Sequence, residues 1–167
     1  MKISGRSLKR RLQLLGNRLS RIKHRKGHGV HSPFVYGFVR KVLMTKTLCV
    51  VEGTSLYDAL LANGVAEKRA RELQNTLCYV EGHSFSINEV KGDLSILLSD
   101  YPIDKLHEAY EVAKHEGITL AMCQPYLNRE RQNEVRALID EHRSTTIDNR
   151  AYILFFNNHL PKQHYRL

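Results

Sequence analysis

The chain has 167 residues, with 26 Lys and Arg against 17 Asp and Glu, a net charge of +9 and a hydrophobic fraction of 42%. That balance fits one soluble domain with a real core and leaves little room for a second. No run approaches the ~18 apolar residues that span a bilayer and no apolar stretch follows the N-terminus, so neither a transmembrane segment nor a secretory leader is read and a cytoplasmic location is expected.

Charge divides the chain unevenly. Residues 1–51 carry 13 Lys and Arg and no carboxylate, the first acidic residue being Glu52, while residues 52–167 carry 13 basic and 17 acidic residues. Within the basic part, Leu8, Leu12, Leu15, Leu19 and Ile22 recur at spacings of four and three, one apolar seam on a helix over residues 4–24. Lys9, Arg10, Arg11, Arg18, Arg21, Lys23, Arg25 and Lys26 crowd its other surfaces. Such an arm has three uses. Its seam can pack on its own domain, on a second copy or on another protein. Its cations, Lys9, Arg10, Arg11, Arg18 and Arg21 first among them, can contact the phosphates of nucleic acid. It can also lie on an anionic membrane surface or serve as a targeting peptide. His24, His28 and His31 lack a nearby carboxylate or Cys and flank Arg25 and Lys26, which repel cations, so no metal site is read there.

Ser32 followed by Pro33 signals a helix start, and Phe34, Val35, Phe38, Val39 and Val42 give the helix over 32–43 a buried face. The boundary divides a basic helical arm, 1–31, from a single α/β domain, 32–167. A β-prone run over 48–51 precedes helices over 55–62, stopped by Asn63-Gly64, and over 66–78, with Ala70, Leu73 and Leu77 inward. Residues 85–88 read as a modest strand and 93–99 as a strand buried on both faces. A helix over 103–115, a strand over 118–123 and a helix over 128–142 follow. Strand, helix, strand, helix implies right-handed crossovers and a mostly parallel sheet. Strands over 144–147 and 151–156 are separated by only Asp148-Asn149-Arg150, too little for a crossover and enough for a hairpin. Cys49, Cys78 and Cys123 lie far apart and in no C-x-x-C spacing, which argues against a disulfide framework or a zinc site and for buried or idle thiols.

The stretch His28-Gly29-Val30-His31-Ser32-Pro33-Phe34-Val35-Tyr36, after a basic helix, resembles the N-terminal signature of a group of bacterial class I S-adenosylmethionine-dependent methyltransferase-like proteins. Ile147-Asp148, Ile153-Leu154-Phe155-Phe156 and Pro161-Lys162-Gln163-His164-Tyr165 resemble the closing strands and tail of the same group. The resemblance implies a truncated Rossmann-like methyltransferase sheet, mostly parallel with a C-terminal antiparallel hairpin and preceded by N-terminal helices. Such an enzyme needs a glycine-rich turn after its first strand and an acidic residue at the end of its second to hold the ribose. In one register the strand at 85–88 stands for the family's first and that at 93–99 for its fourth, with the glycine loop and two strands between them missing. In the other, Glu52 and Gly53 lie in the glycine turn and Glu81 in the ribose-binding end. The first register is favoured, because a helix precedes the 85–88 strand as one precedes the family's first. It implies a pseudoenzyme that has lost S-adenosylmethionine binding, with no cofactor expected; the second implies a surviving methyltransferase that uses S-adenosylmethionine.

Other catalytic patterns are absent, with no G-x-S-x-G elbow and no H-E-x-x-H pair. Asp93, Asp100 and Asp104 are placed near the C-terminal end of the 94–98 strand, where α/β folds hold ligands, and Gln124-Pro125-Tyr126 at the next such edge. Solvated caps and loop packing are the simpler expectation for all of them, as is a turn role for Asp148.

Overall fold

The computed structural model describes residues 32–50, 53 and 55–167. The basic arm, with Lys9, Arg10, Arg11, Arg18 and Arg21, and also Glu52, lie outside the described residues. Among the described residues no helix is long and apolar enough to cross a membrane.

Helix α1, Pro33–Phe38, starts as expected: the Ser32 hydroxyl accepts the Val35 N–H at 3.4 Å and proline takes the first turn. It runs on into a π-helical turn, Val39–Leu43, so that Val35, Phe38, Val39 and Val42 are buried together. Gly37 lies where a Cβ would stand 2.6 Å from the Tyr79 hydroxyl, which donates to the Phe34 carbonyl. Any side chain at 37 would push the helix off Tyr79.

The expected strand over 48–51 is not formed across residues 48–50. The groups a strand would pair are taken by one side chain: Asn75 Oδ1 accepts the Cys49 N–H at 2.8 Å and Asn75 Nδ2 donates to the Thr47 carbonyl. The expectation of idle thiols fails here as well. Cys49 and Cys78 form a disulfide across Cα atoms 6.5 Å apart, because the second of the next two helices brings Cys78 back beside Cys49. Those helices are α2, Leu56–Ala62, and α3, Glu67–Tyr79. Ala70, Leu73 and Leu77 of α3 face the core.

Six strands form one sheet: β1 Phe85–Ile87, β2 Leu94–Leu97, β3 Thr119–Cys123, β4 Thr145–Asp148, β5 Tyr152–Phe155 and β6 Gln163–Arg166. Their order is β1-β2-β3-β5-β4-β6. The pairs β1–β2, β2–β3 and β4–β6 are parallel, and β5 runs against both its neighbours, so β4 and β5 make the expected hairpin. Helix α4, Leu106–Glu116, after a 3-10 turn Ile103–Lys105, joins β2 to β3, and α5, Arg129–Glu141, joins β3 to β4. Alternation along the strands sends Ile96, Ala121, Ile147, Leu154 and Phe156 toward α1–α3, and Leu97, Leu120, Met122, Ile153 and Phe155 toward α4 and α5. The fold is thus mixed α/β, a mostly parallel sheet with helices on both faces.

Two features were not anticipated. Strand β6 lies in the polar tail and is exposed at the sheet's edge. The link from β1 to its parallel neighbour β2 is residues 88–93 alone, whereas parallel strands ordinarily need a crossover of a dozen or more. The return is pinned by two buried serines: the Ser86 hydroxyl donates to the Glu89 carbonyl at 2.6 Å, and Ser95 Oγ accepts the Lys91 N–H at 3.0 Å. Gly92, with φ +79, passes so close to Ser84 that a Cβ would meet its hydroxyl at 2.8 Å.

Candidate functional site

In open α/β sheets ligands bind beyond the carboxyl ends of the parallel strands. Asn88, just past β1 and at φ +56, accepts the Leu98 N–H on Oδ1 at 2.8 Å and donates from Nδ2 to Asp100 at 3.1 Å. Asp100 is therefore at the expected edge, joined to the neighbouring strand. Past β3, Gln124 takes φ +46 and its N–H donates to the Ala151 carbonyl at 2.7 Å. Tyr126 donates its hydroxyl to Asp148, which is fully buried and also accepts the Arg150 N–H at 2.7 Å. Asp148 thus holds the hairpin turn and a loop tyrosine together.

Two buried charges at this edge escaped the sequence reading. Arg131, in the first turn of α5, is fully buried. Its guanidinium donates to the carbonyls of Leu98 at 2.8 Å, Cys123 at 3.2 Å and Tyr101 at 3.1 Å, capping the ends of β2 and β3, while Nε has no partner. Burial pulls its pKa below the usual arginine value. Nothing local distinguishes it from its exposed neighbours Arg129 and Glu130, except that it sits three residues after the helix cap Asn128. Glu72, on the inner face of α3, accepts from Arg69 at 2.6 Å and from Asn149 Nδ2 and the Tyr152 hydroxyl, each at 3.3 Å. Burial, and then the Glu72 charge, hold the Tyr152 phenol far up.

The opposite edge, where β2 and β3 begin, is built differently. Asp93 belongs here and not at the carboxyl end of β2: it precedes the strand, and its Oδ2 accepts the N–H groups of His83 and Ser84 at 2.9 Å and the Ser84 hydroxyl at 2.7 Å. The Ser84 hydroxyl and then the His83 N–H hold its carboxyl below the usual range. Asp104, by contrast, follows β2 and is exposed in the 3-10 turn before α4. A cleft of about 390 Å³ opens at this edge, walled by Phe34, Tyr79 and Phe156 and rimmed by Glu81, Asp93 and Glu116.

Glu81 follows a helix, not the strand that the glycine-turn register requires. It sits at φ +57 in the turn that ends α3, where the Gly82 N–H bonds back to Leu77. Gly53 has φ +72 and open space where a side chain would be.

Two other groupings have plain structural uses. His107, Glu111 and Glu141 offer ligand atoms within 4.8 Å of one another, but Lys114 Nζ already sits 2.8 Å from Glu111 and 3.1 Å from Glu141, filling the cation position. Cys123 is buried, and desolvation pushes its thiol up to about 12, so it is no nucleophile at neutral pH. No family model matches this chain, and neither a curated protein nor a solved structure does.

Proposed function

We propose that the chain is a shortened methyltransferase-like module that does not bind S-adenosylmethionine and works as a non-catalytic binding or structural protein. The observation that carries this reading is the six-residue return from β1 to β2. In the doubly wound order 3-2-1-4-5-6, the first and fourth strands are neighbours, so the second and third can be removed from the outside without opening the sheet. The observed edge fits that excision: β1 is outermost, and β2 pairs with it directly. In this register the excised part includes the glycine turn and the ribose-binding acid, and fold likeness without site residues carries no activity. The antiparallel β5 beside β3 agrees with the closing hairpin that the resemblance implies.

Calorimetric titration of the full chain with S-adenosylmethionine and with S-adenosylhomocysteine tests the reading. No heat at millimolar ligand and no thermal shift are expected. Micromolar binding, roughly −8 kcal/mol, would overturn it in favour of a surviving enzyme, and Glu52→Ala with Glu81→Ala should then abolish that binding if Glu52, Gly53 and Glu81 form the site.

A second reading rests on the charge of the arm, ten Lys and Arg and no carboxylate within residues 1–31. Here the module holds nucleic acid through Lys9, Arg10, Arg11, Arg18 and Arg21. Affinity that falls steeply with salt, and falls again when Arg10, Arg11, Arg18 and Arg21 become alanine, is the expected outcome; salt-insensitive binding sinks it.

A further inference from the structure

The cleft at the starting edge of the sheet gathers negative charge from two independent sources. Helices α3 and α4 both end on it, at Tyr79 and Glu116, and helix C-termini carry about half a negative charge each. Glu81, Asp93 and Glu116 add three carboxylates, and none of the lining residues is Lys or Arg. Asp93 is held by its bonds to Ser84 and His83, whereas Glu81 and Glu116 are exposed, Glu116 with His115 Nδ1 at 2.9 Å on its own helix end. The inner wall is aromatic: Phe34 stands edge-on to Tyr79 and to Phe156, with centroids 5.2 and 5.0 Å apart. A rim of carboxylates beside the half-buried rings of Phe34 and Tyr79 suits a guanidinium, which pairs with the first and packs on the second.

The chain carries such a group within reach. Residues 32–167 hold sixteen Lys and Arg against seventeen Asp and Glu, while the segment before them has ten Lys and Arg and no carboxylate. That segment joins the fold at Ser32, two residues before Phe34 of the cleft wall. Five residues lie between Lys26 and Ser32, a span of up to ~20 Å at full extension.

We propose that the cleft is the docking site of the chain's own Lys23-His24-Arg25-Lys26 segment, with Arg25 and Lys26 set against Glu81 and Glu116 and the aromatic wall. Docking commits these cations to the domain, so a polyanion that bound the arm would compete with the cleft for them. The inference does not rest on the loss of S-adenosylmethionine binding, and its readouts, exchange and cross-linking, are separate from that test.

The test uses the full-length protein at low salt, with hydrogen exchange over residues 19–31 and zero-length carbodiimide cross-linking of lysine to carboxylate, read by mass spectrometry. Expected are cross-links from Lys23 or Lys26 to Glu81 or Glu116 within one chain, and exchange slowed roughly fivefold, the size a few exposed ion pairs support. The protection should vanish in Glu81→Lys/Glu116→Lys and in Arg25→Glu/Lys26→Glu, and return when the four changes are combined. Unprotected exchange in the parent chain, or no rescue in the combined variant, would overturn the proposal. So would cross-links that join light to heavy chains in an isotopically mixed sample, since the occupant would then be a second copy.

Discussion

The two edges of the sheet use charge in opposite ways. Where the parallel strands end, Arg131, Glu72 and Asp148 are buried and bonded to backbone carbonyls, to one another's neighbours or to turn N–H groups. Where they begin, the carboxylates of Glu81, Asp93 and Glu116 are exposed around a cleft. Charge at the first edge is part of the fold, since each buried group would cost several kcal/mol without its partners. At the second, Asp93 is bonded into the α3–β1 turn, and Glu81 and Glu116 are the charges exposed to a ligand. In an α/β protein ligands ordinarily sit at the ending edge; here Asn88, Asp100 and Arg131 tie its strand ends to one another.

The contrast predicts where substitutions hurt. Replacing Arg131 by alanine leaves the carbonyls of Leu98, Tyr101 and Cys123 without a donor in a dry site, at ~1–3 kcal/mol for each unpaired group, partly offset by relief of the buried cation. The net expectation is a loss of about 2–4 kcal/mol in urea unfolding. An unchanged midpoint would mean that water satisfies those carbonyls and that the edge is open. Next in size is Glu72→Gln, which keeps the shape but loses the charge-assisted bond to Arg69; about 1–2 kcal/mol is expected.

Neither of these groups was legible in the sequence, and the reason is the same for both. Helix and strand positions over residues 85–156 are legible because the central strands are short runs buried on both faces and the helices bury at a period of about four, bounded by Gly92, Gly117 and the Asp148-Asn149-Arg150 turn. Arg131 and Glu72 break that pattern: each is a charged residue on a buried face, and what makes its burial tolerable is an element far away in sequence, Leu98 for one and Asn149 for the other. The Cys49–Cys78 bond is hidden for a like reason, since only the return of α3 makes the two neighbours. Strand β6 was missed because an edge strand in a polar tail carries almost no hydrophobic signal. Asp93 directly precedes β2 on either set of bounds, so its expected place at the carboxyl end fails on the direction of the strand and not on where the strand starts. The readings of residues 1–31 and of Glu52 lie outside the described residues.

The starting edge should respond to pH at a site apart from the cleft. His142 is buried between Tyr110, whose hydroxyl meets Nδ1, and the Phe156 carbonyl, which Nε2 meets at 3.2 Å. With Nε2 donating, Nδ1 is the acceptor, so the neutral ring satisfies both neighbours. Burial lowers its pKa. The folded state therefore disfavours protonation relative to the unfolded chain. The stability it contributes is complete above the unfolded value of ~6.5 and is lost as pH falls from there through the folded value. Urea midpoints should drop on going from pH 7 to pH 5, and His142→Gln should flatten that slope; an equal slope in the variant would place the titration elsewhere.

The smallest effect separates a structural carboxylate from one available to a ligand within the same cleft. Asp93→Asn weakens three bonds at the α3–β1 turn, but the group is exposed, so about 0.5–1 kcal/mol is expected. Because the folded carboxyl is lowered, its contribution is present above the unfolded value of ~3.9 and fades below it, so variant and parent should converge in acid. Glu81→Gln with Glu116→Gln, measured at high salt to screen any docked arm, should leave the midpoint within about 0.5 kcal/mol. A loss as large as that of Asp93→Asn would show that these carboxylates also brace the fold, and the two edges would then differ only in exposure, not in what their charge is for.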